Sequence, residues 1–242
     1  MSQNSTDNLE LLKPLVIHCC WFGGELSPMA QKCLKSWEKY APNFKIKRWD
    51  KEIERLCNSS LNELPPFVRG AFAGKKWAML SDWVRMKALY EEGGTYFDFD
   101  VELVNDINKL PHDEWIASEW TKLGSWLNPG CGIRLKRGSN VARFMLEEYS
   151  KLKFDPSMEM MPWINEKLEK VAYDVKILPP EILSPIDLKG KLHLTSDTVA
   201  VHHYEMSWAS PLRKFMQWMS WHGLRWVIDS ALKVKSFIKG AK

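Results

Sequence analysis

Apolar positions along this chain recur at two periods, and their alternation predicts the fold class. "LVIHCC" (15–20) is a compact apolar run that reads as a buried first strand, with "WFGGELSP" as the loop after it. Ser27-Pro28 is a helix start, because serine accepts a hydrogen bond from a free helical N–H and proline presets the first turn. Met29, Cys33, Trp37 and Tyr40 continue that helix at helical spacing. "FKIKRW" (44–49) alternates apolar and basic residues and predicts a second strand. In "KKWAMLSDWVRMKALYEEGG" (75–94), Trp77, Leu80, Val84 and Leu89 keep to one side of a helix that Gly93-Gly94 ends. That helix leads directly into "TYFDFDVEL", read as the next strand. "WIASEW", "CGIRL", "DVKIL" and "TVAVHHY" are later strands, with helices near 139–153 and 160–172. Strands alternating with helices predict an α/β fold with a mainly parallel central sheet. Ligands of such sheets collect at the carboxyl ends of the strands.

"FDFD" is the anomaly in this pattern. If it is a strand, Tyr96, Asp98 and Asp100 share one face, while Phe97, Phe99 and Val101 share the other. Two carboxylates on one face repel each other unless a cation lies near them. The bland alternative is a strand end whose acids reach solvent. Three neighbouring groups bear on the choice. Asp82 and Arg85, three apart on the preceding helix, form either a surface ion pair or, beside a cleft, a pair for binding sugar hydroxyls. Trp21, at the end of the first strand, is either core or a flat face for a base. His202 and His203 end a strand, so their rings point to opposite sides, and one can reach the cleft as a metal ligand.

A chain of 242 residues suffices for one substantial domain. Five cysteines, none in a C-x-x-C pair, argue for a reducing compartment and against a disulfide scaffold or zinc site. The polar opening "MSQNSTDNLELLKP" has no signal-peptide pattern, and "LVIHCCWF" is too short to span a bilayer. A cytoplasmic location is expected, with no nucleic-acid partner. The net charge of +4 is unevenly spread: from Pro211 onward seven basic residues face one acid, Asp229, which leaves the body mildly acidic. The expected organisation is a domain over 1–210 and a basic amphipathic helical tail over 211–242. On a helical projection of that tail, Leu212, Phe215, Met216, Met219, Trp226 and Val227 gather on one side, with Lys214, Gln217 and Arg225 opposite. Trp218, Trp221, Ile228 and Leu232 fall off the stripe. The tail is thus either a docked terminal helix or an interfacial helix for an anionic membrane surface.

The run "SDWVRMKALYEEGGTYFDFDVE" resembles the S-D-x-x-R … L-Y-x-x-G-G-x-Y-x-D-x-D-V signature of the DXD-containing retaining glycosyltransferases. That group includes homologues of the yeast initiating α-1,6-mannosyltransferase, bacterial capsule and O-antigen transferases, and the glucosylating domains of clostridial toxins. "VIHCCWFGGELSPMAQKCLKSWEKYAPNFKIKRWD" is similar to the family's opening, and "VAVHHYEMSW" to its closing H-H-x-x-x-S-W element. The resemblance implies a single GT-A-type nucleotide-sugar-binding domain. It implies that Asp98, Asp100 and His202, the last in preference to His203, hold Mn²⁺ or Mg²⁺ against the donor diphosphate. It further implies that Asp82 and Arg85 bind the donor sugar, that Trp21 stacks on the base, and that Ser207 and Trp208 close over the diphosphate.

Catalysis is accordingly placed on Asp82, Arg85 and Asp100. The implied reaction moves a sugar from a nucleotide-sugar, a UDP-sugar in preference, to a glycan acceptor, by front-face attack within an ion pair. The acceptor implied is an undecaprenyl-diphosphate-linked oligosaccharide in O-antigen or capsule synthesis, reached from the cytoplasmic face of the inner membrane. "LNPGCGIRLKRGS" departs from the family's N-x-x-x-G segment, so Asn128 and the acceptor side stay unassigned. Two rival readings are a haloacid-dehalogenase-like phosphatase, whose motif would sit on the first strand and need a later Asp-Asp pair, and a non-catalytic sugar-nucleotide-binding protein at the membrane.

Overall fold

The computed structural model describes residues 15–122, 124–205, 211–221 and 224. The chain runs β1 (Val16–Cys19), α1 (Pro28–Tyr40), β2 (Lys45–Arg48), α2 (Asp50–Ser60), α3 (Pro66–Ala73), α4 (Trp77–Glu92), β3 (Gly94–Tyr96) and β4 (Val101–Leu103). It continues through β5 (Trp115–Thr121), β6 (Gly124–Leu127), β7 (Ile133–Leu135), α5 (Asn140–Lys151), α6 (Met160–Glu169), β8 (Lys176–Leu178), α7 (Pro180–Leu183), β9 (Ala200–His202) and α8 (Pro211–Trp221).

The main sheet runs β2-β1-β3-β7-β5-β6, with β8 also paired to β5. It is mixed, where the sequence pattern predicts a mainly parallel sheet. β1 pairs in parallel with β2 and β3, and β8 with β5, but β7 lies antiparallel to both β3 and β5. β5 and β6 also pair antiparallel, through a short connection that a parallel crossover could not use.

The start signals act as read. Ser27 Oγ accepts from the Ala30 N–H at 3.0 Å, and Pro28 opens α1. α4 ends at Gly93, whose φ of 67° suits glycine and whose N–H bonds Leu89 O. Leu80, Val84 and Leu89 are buried, each contributing about 1.5–3 kcal/mol. Met79, Trp83, Met86 and Ala88 are buried as well, so α4 is enclosed well beyond a single face.

Side-chain alternation across the sheet divides the core in two. Tyr96, Ile116 and Ile133 join the layer covered by α2 to α6. Phe97, Trp115 and Ala117 join the opposite layer, beneath α1 and α7. Trp37 on α1 is fully buried there and spends its indole N–H on Val101 O at 2.8 Å, so its polar atom costs nothing to bury.

The D-x-D stretch is a turn between two strands, which corrects the expectation of one continuous strand. β3 stops at Tyr96, residues 97–100 turn, and β4 departs to pair with β9 in a separate two-stranded sheet. The pull on β4 is non-local: Val101 pairs with His202. Among the described residues, no helix is long and apolar enough to cross a membrane.

Candidate active site

The carboxyl ends of the parallel strands β1 and β3 carry the chain into Trp21 and into the D-x-D turn. Helix α4 crosses behind that turn and presents Asp82 and Arg85 one helical turn apart. The Arg85 side chain is 2% exposed. Its Nη1 donates to Asp82 Oδ1 at 2.8 Å, and its Nη2 donates to Asp98 Oδ1 and Oδ2 at 2.9 and 3.2 Å. The guanidinium also lies 5.0 Å from the centre of the Tyr96 ring, within cation–π range.

Asp100 has a different cation. Its Oδ1 lies 3.2 Å from His202 Nε2, and its Oδ2 accepts the Glu205 N–H at 2.9 Å. The other imidazole nitrogen, His202 Nδ1, meets Cys131 Sγ at 3.1 Å. The adjacent acids are thus tolerated because each has its own buried partner, Arg85 for Asp98 and His202 for Asp100. The repulsion expected between them is already compensated without a metal.

The titration behaviour follows this division. Burial pushes Asp82 up to about 6, with Arg85 opposing it. Burial raises Asp98 too, again against Arg85, and the Asp100 charge adds to the rise. Asp100 goes the other way: burial opposes, but His202 and the Glu205 N–H hold its carboxyl below the usual range. Burial works against a charged His202, yet Cys131 and Asp100 hold its pKa well above the ordinary value.

The two histidines diverge as strand alternation requires. His202 faces Asp100, while His203 Nε2 pairs with Glu102 Oε2 at 2.8 Å on the other side. Trp21 is half-buried, edge-on to Phe99 at 5.9 Å, with its indole N–H on Glu25 O at 3.1 Å. It therefore stands beside the D-x-D turn. Ser207 and Trp208 lie outside the described residues.

The segment left unassigned in the sequence supplies the missing wall. Gly130 O accepts the Asp98 N–H at 3.2 Å, and Asn128 Oδ1 accepts the Gly130 N–H at 2.9 Å. A Cβ on Gly130 would come within 2.6 Å of Asp98 Oδ2 and 3.0 Å of Asn128 Oδ1. Gly130→Ala should therefore lose about 1–3 kcal/mol, because the atoms it meets are held by hydrogen bonds to Arg85 and to the Gly130 N–H. The displaced Asp98 carboxylate should also loosen its contact with both oxygens on Arg85 Nη2. A melting curve checks the loss.

The residues fit a hard divalent cation. Asp98 and Asp100 keep 33% and 16% of their side chains exposed, and the missing side chain at Gly130 leaves room beside Asp98 Oδ2. Carboxylate oxygens suit Mg²⁺ or Mn²⁺. Glu119, Cys131 and His202 bring a second set of ligating atoms within 4.8 Å of one another. Ser27, the cap of α1, donates to Glu205 Oε2 at 2.9 Å and so ties α1 to the loop that holds Asp100. Of these additional residues only the glycine-rich "NPGCG" carries a sequence signal.

Residues 27–119 match the family described as glycosyltransferase sugar-binding region containing DXD motif. The fold is similar to that of PaToxG glycosyltransferase, with a TM-score of 0.51 and 18% identity over 69% of this chain and 75% of that one. A glycosyltransferase involved in the glycosylation of the major capsid of PBCV-1 matches with a TM-score of 0.44 and 13% identity, over 85% of this chain and 98% of that one. No curated protein sequence matches the chain. The family match and the fold together support a glycosyltransferase with a GT-A-like domain, a class that generally binds a divalent metal.

Proposed function

We propose that this chain is a metal-dependent, retaining glycosyltransferase that moves a hexosyl or N-acetylhexosaminyl group from a nucleotide-sugar, with UDP as the favoured nucleotide, to a glycan acceptor. The observation that carries this reading is the Asp82–Arg85–Asp98 clamp set beside the Asp100–His202 pair at the carboxyl ends of β1 and β3. Asp98, Asp100 and His202 would hold the cation. Mn²⁺ or Mg²⁺, when bound, stabilises the charge that builds on the departing diphosphate. Asp82 accepts hydrogen bonds from donor hydroxyls, and Arg85 fixes the orientation of both carboxylates it touches. Trp21 offers its ring to the base. Attack comes from the leaving-group face within an ion pair.

A screen of UDP- and GDP-sugars for thermal stabilisation, with and without Mn²⁺, tests the reading directly. Stabilisation by one sugar nucleotide only in the presence of Mn²⁺, abolished by EDTA, is the expected result. No stabilisation by any of them sinks it.

Asp82 gives the donor site a pH signature. Its carboxyl sits near 6 through burial, so the sugar-binding carboxylate is lost as pH falls through about 6. Donor KM should rise over that window. Stability should move the opposite way. A carboxyl raised in the folded state binds its proton more tightly there than in the unfolded chain, so its burial penalty is relieved on acidification. Asp82→Asn should remove both trends, as pH-resolved KM and melting curves would report.

The acceptor in this reading is an undecaprenyl-diphosphate-linked glycan of O-antigen or capsule synthesis, and the enzyme works as a peripheral protein on the cytoplasmic face of the inner membrane. The support is the apolar ridge of α8, where Leu212, Phe215 and Trp218 are 67, 54 and 49% exposed, with Lys214 also exposed. Apolar and basic side chains together suit the headgroup region. The full chain should bind anionic vesicles and release at high salt. Indifference to such vesicles ends the membrane assignment.

A further inference from the structure

We infer that the notch between β6, β8 and the carboxyl end of α6 is a saccharide subsite for the glycan acceptor, an inference that rests on the transferase reading above. Along one edge β5 pairs with β7 through Trp115 and Ile116 and with β6 through Ser118–Thr121, while on the other edge Trp115–Ala117 pair with β8. A cavity of about 260 Å³ opens between β6, β8 and the end of α6, lined by Ser118, Ser125, Trp126, Leu127, Glu169 and Tyr173 among others. Drug-sized ligands occupy pockets of roughly 300 Å³ and more, so this volume suits a single pyranose ring.

Its lining has the chemistry of carbohydrate recognition. Tyr173 is 81% exposed, a position no packing argument requires of an aromatic ring. Tyrosine offers an apolar face to the C–H face of a sugar, while Ser125 and Glu169 offer hydroxyl and carboxylate partners to its rim. Glu169 is held in place: its Oε1 accepts from Asn165 Nδ2 at 2.8 Å, and Asn165 Oδ1 accepts the Leu127 N–H at 2.7 Å.

The notch is tied to the D-x-D turn in three ways. β5 runs antiparallel to β7, and β7 antiparallel to β3, so the carboxyl half of β5 lies at the same end of the sheet as Asp98. Leu127 of the notch immediately precedes Asn128, which holds Gly130 against Asp98. Trp126 donates its indole N–H to Glu119, whose carboxylate approaches Cys131 and His202. β5 stands two strand spacings from β3, roughly 10 Å. A sugar in the notch would therefore belong to the body of the acceptor, away from the reacting hydroxyl, and its binding energy would serve to position that hydroxyl.

The test uses the full chain with methyl α-D-glucopyranoside, methyl α-D-mannopyranoside, methyl β-D-galactopyranoside and methyl N-acetyl-β-D-glucosaminide at millimolar concentration, read by saturation-transfer NMR. At least one glycoside should give a signal that weakens roughly fivefold or more in Tyr173→Ala and survives in Tyr173→Phe. Because Tyr173 is largely exposed, neither variant should lose the fold, and a melting curve confirms it. No signal from any glycoside, or one indifferent to Tyr173→Ala, overturns the subsite. Thermal stabilisation by nucleotide-sugars is read on the same samples. Sugar nucleotides that bind while glycosides do not overturn the subsite alone. Glycosides that bind while sugar nucleotides do not uphold a saccharide site and overturn the transferase reading.

Discussion

Arg85→Ala should cost about 3–5 kcal/mol, because it strands two acids around one buried cation site. The guanidinium is 2% exposed and is the cation shared by Asp82 and Asp98. Removing one partner of a buried ionic group leaves the other charges to bear their desolvation alone. Against a total stability of about 5–15 kcal/mol, the loss is a large fraction. The contact with the Tyr96 ring disappears as well. Arg85→Lys should not rescue it fully, since one ammonium cannot span both carboxylates with a planar fork. The triple variant Arg85→Met, Asp82→Asn, Asp98→Asn should recover much of the stability and none of the activity. Urea denaturation of the three proteins decides the matter. A loss under about 1 kcal/mol in Arg85→Ala would mean that water screens the acids and the clamp is not structural.

That clamp was half legible in the sequence. The spacing of Asp82 and Arg85 on a helix placed them together, but nothing local said that Asp98, thirteen residues on, would complete the set. Chain features that act over a few residues read well: Ser27 caps α1 and Gly93 ends α4, as their types dictate. α2 went unassigned because its N-cap is Trp49, which makes no side-chain cap, and only a few of its residues are buried. α3 is short and begins in a proline pair, which reads as a turn. The D-x-D stretch misled for a physical reason. Alternation of apolar and polar residues is common to a strand and to a turn flanked by two strands, and only pairing of β4 with β9, a hundred residues later, separates the two. The mixed sheet has the same origin, since direction is set by which edges remain to be paired. Gly130 and Cys131 reach the site because β7 returns antiparallel beside β3, a non-local event with no signature in their own neighbourhood.

Asp100→Ala should abolish transfer, lowering turnover by about 10²–10³ or more, as removal of a principal electrostatic group does. A carboxylate this deeply placed in the empty protein would be expected to cost stability, so that its removal would be harmless to the fold. The geometry says otherwise. His202 and the Glu205 N–H hold the Asp100 carboxyl below its usual pKa, so it contributes stability as the anion, and Asp100→Ala should lose about 1–3 kcal/mol. The sign with pH follows from both partners. A depressed Asp100 contributes above its unfolded value, about 4, and its contribution is lost as pH falls through the lower folded one. A raised His202 contributes fully below its unfolded value, about 6.5, and its contribution is lost as pH rises through the higher folded one. The pair is therefore worth most between about pH 4 and 6.5, and the stability gap between wild type and Asp100→Ala should be widest there. His202→Ala should show the same gap, and the double variant should be scarcely less stable than either single one, because each removes the same interaction. Additive losses in that cycle would show that the two residues act separately. Full transfer by Asp100→Ala, or full turnover of wild type in excess EDTA, would remove Asp100 from the chemistry altogether.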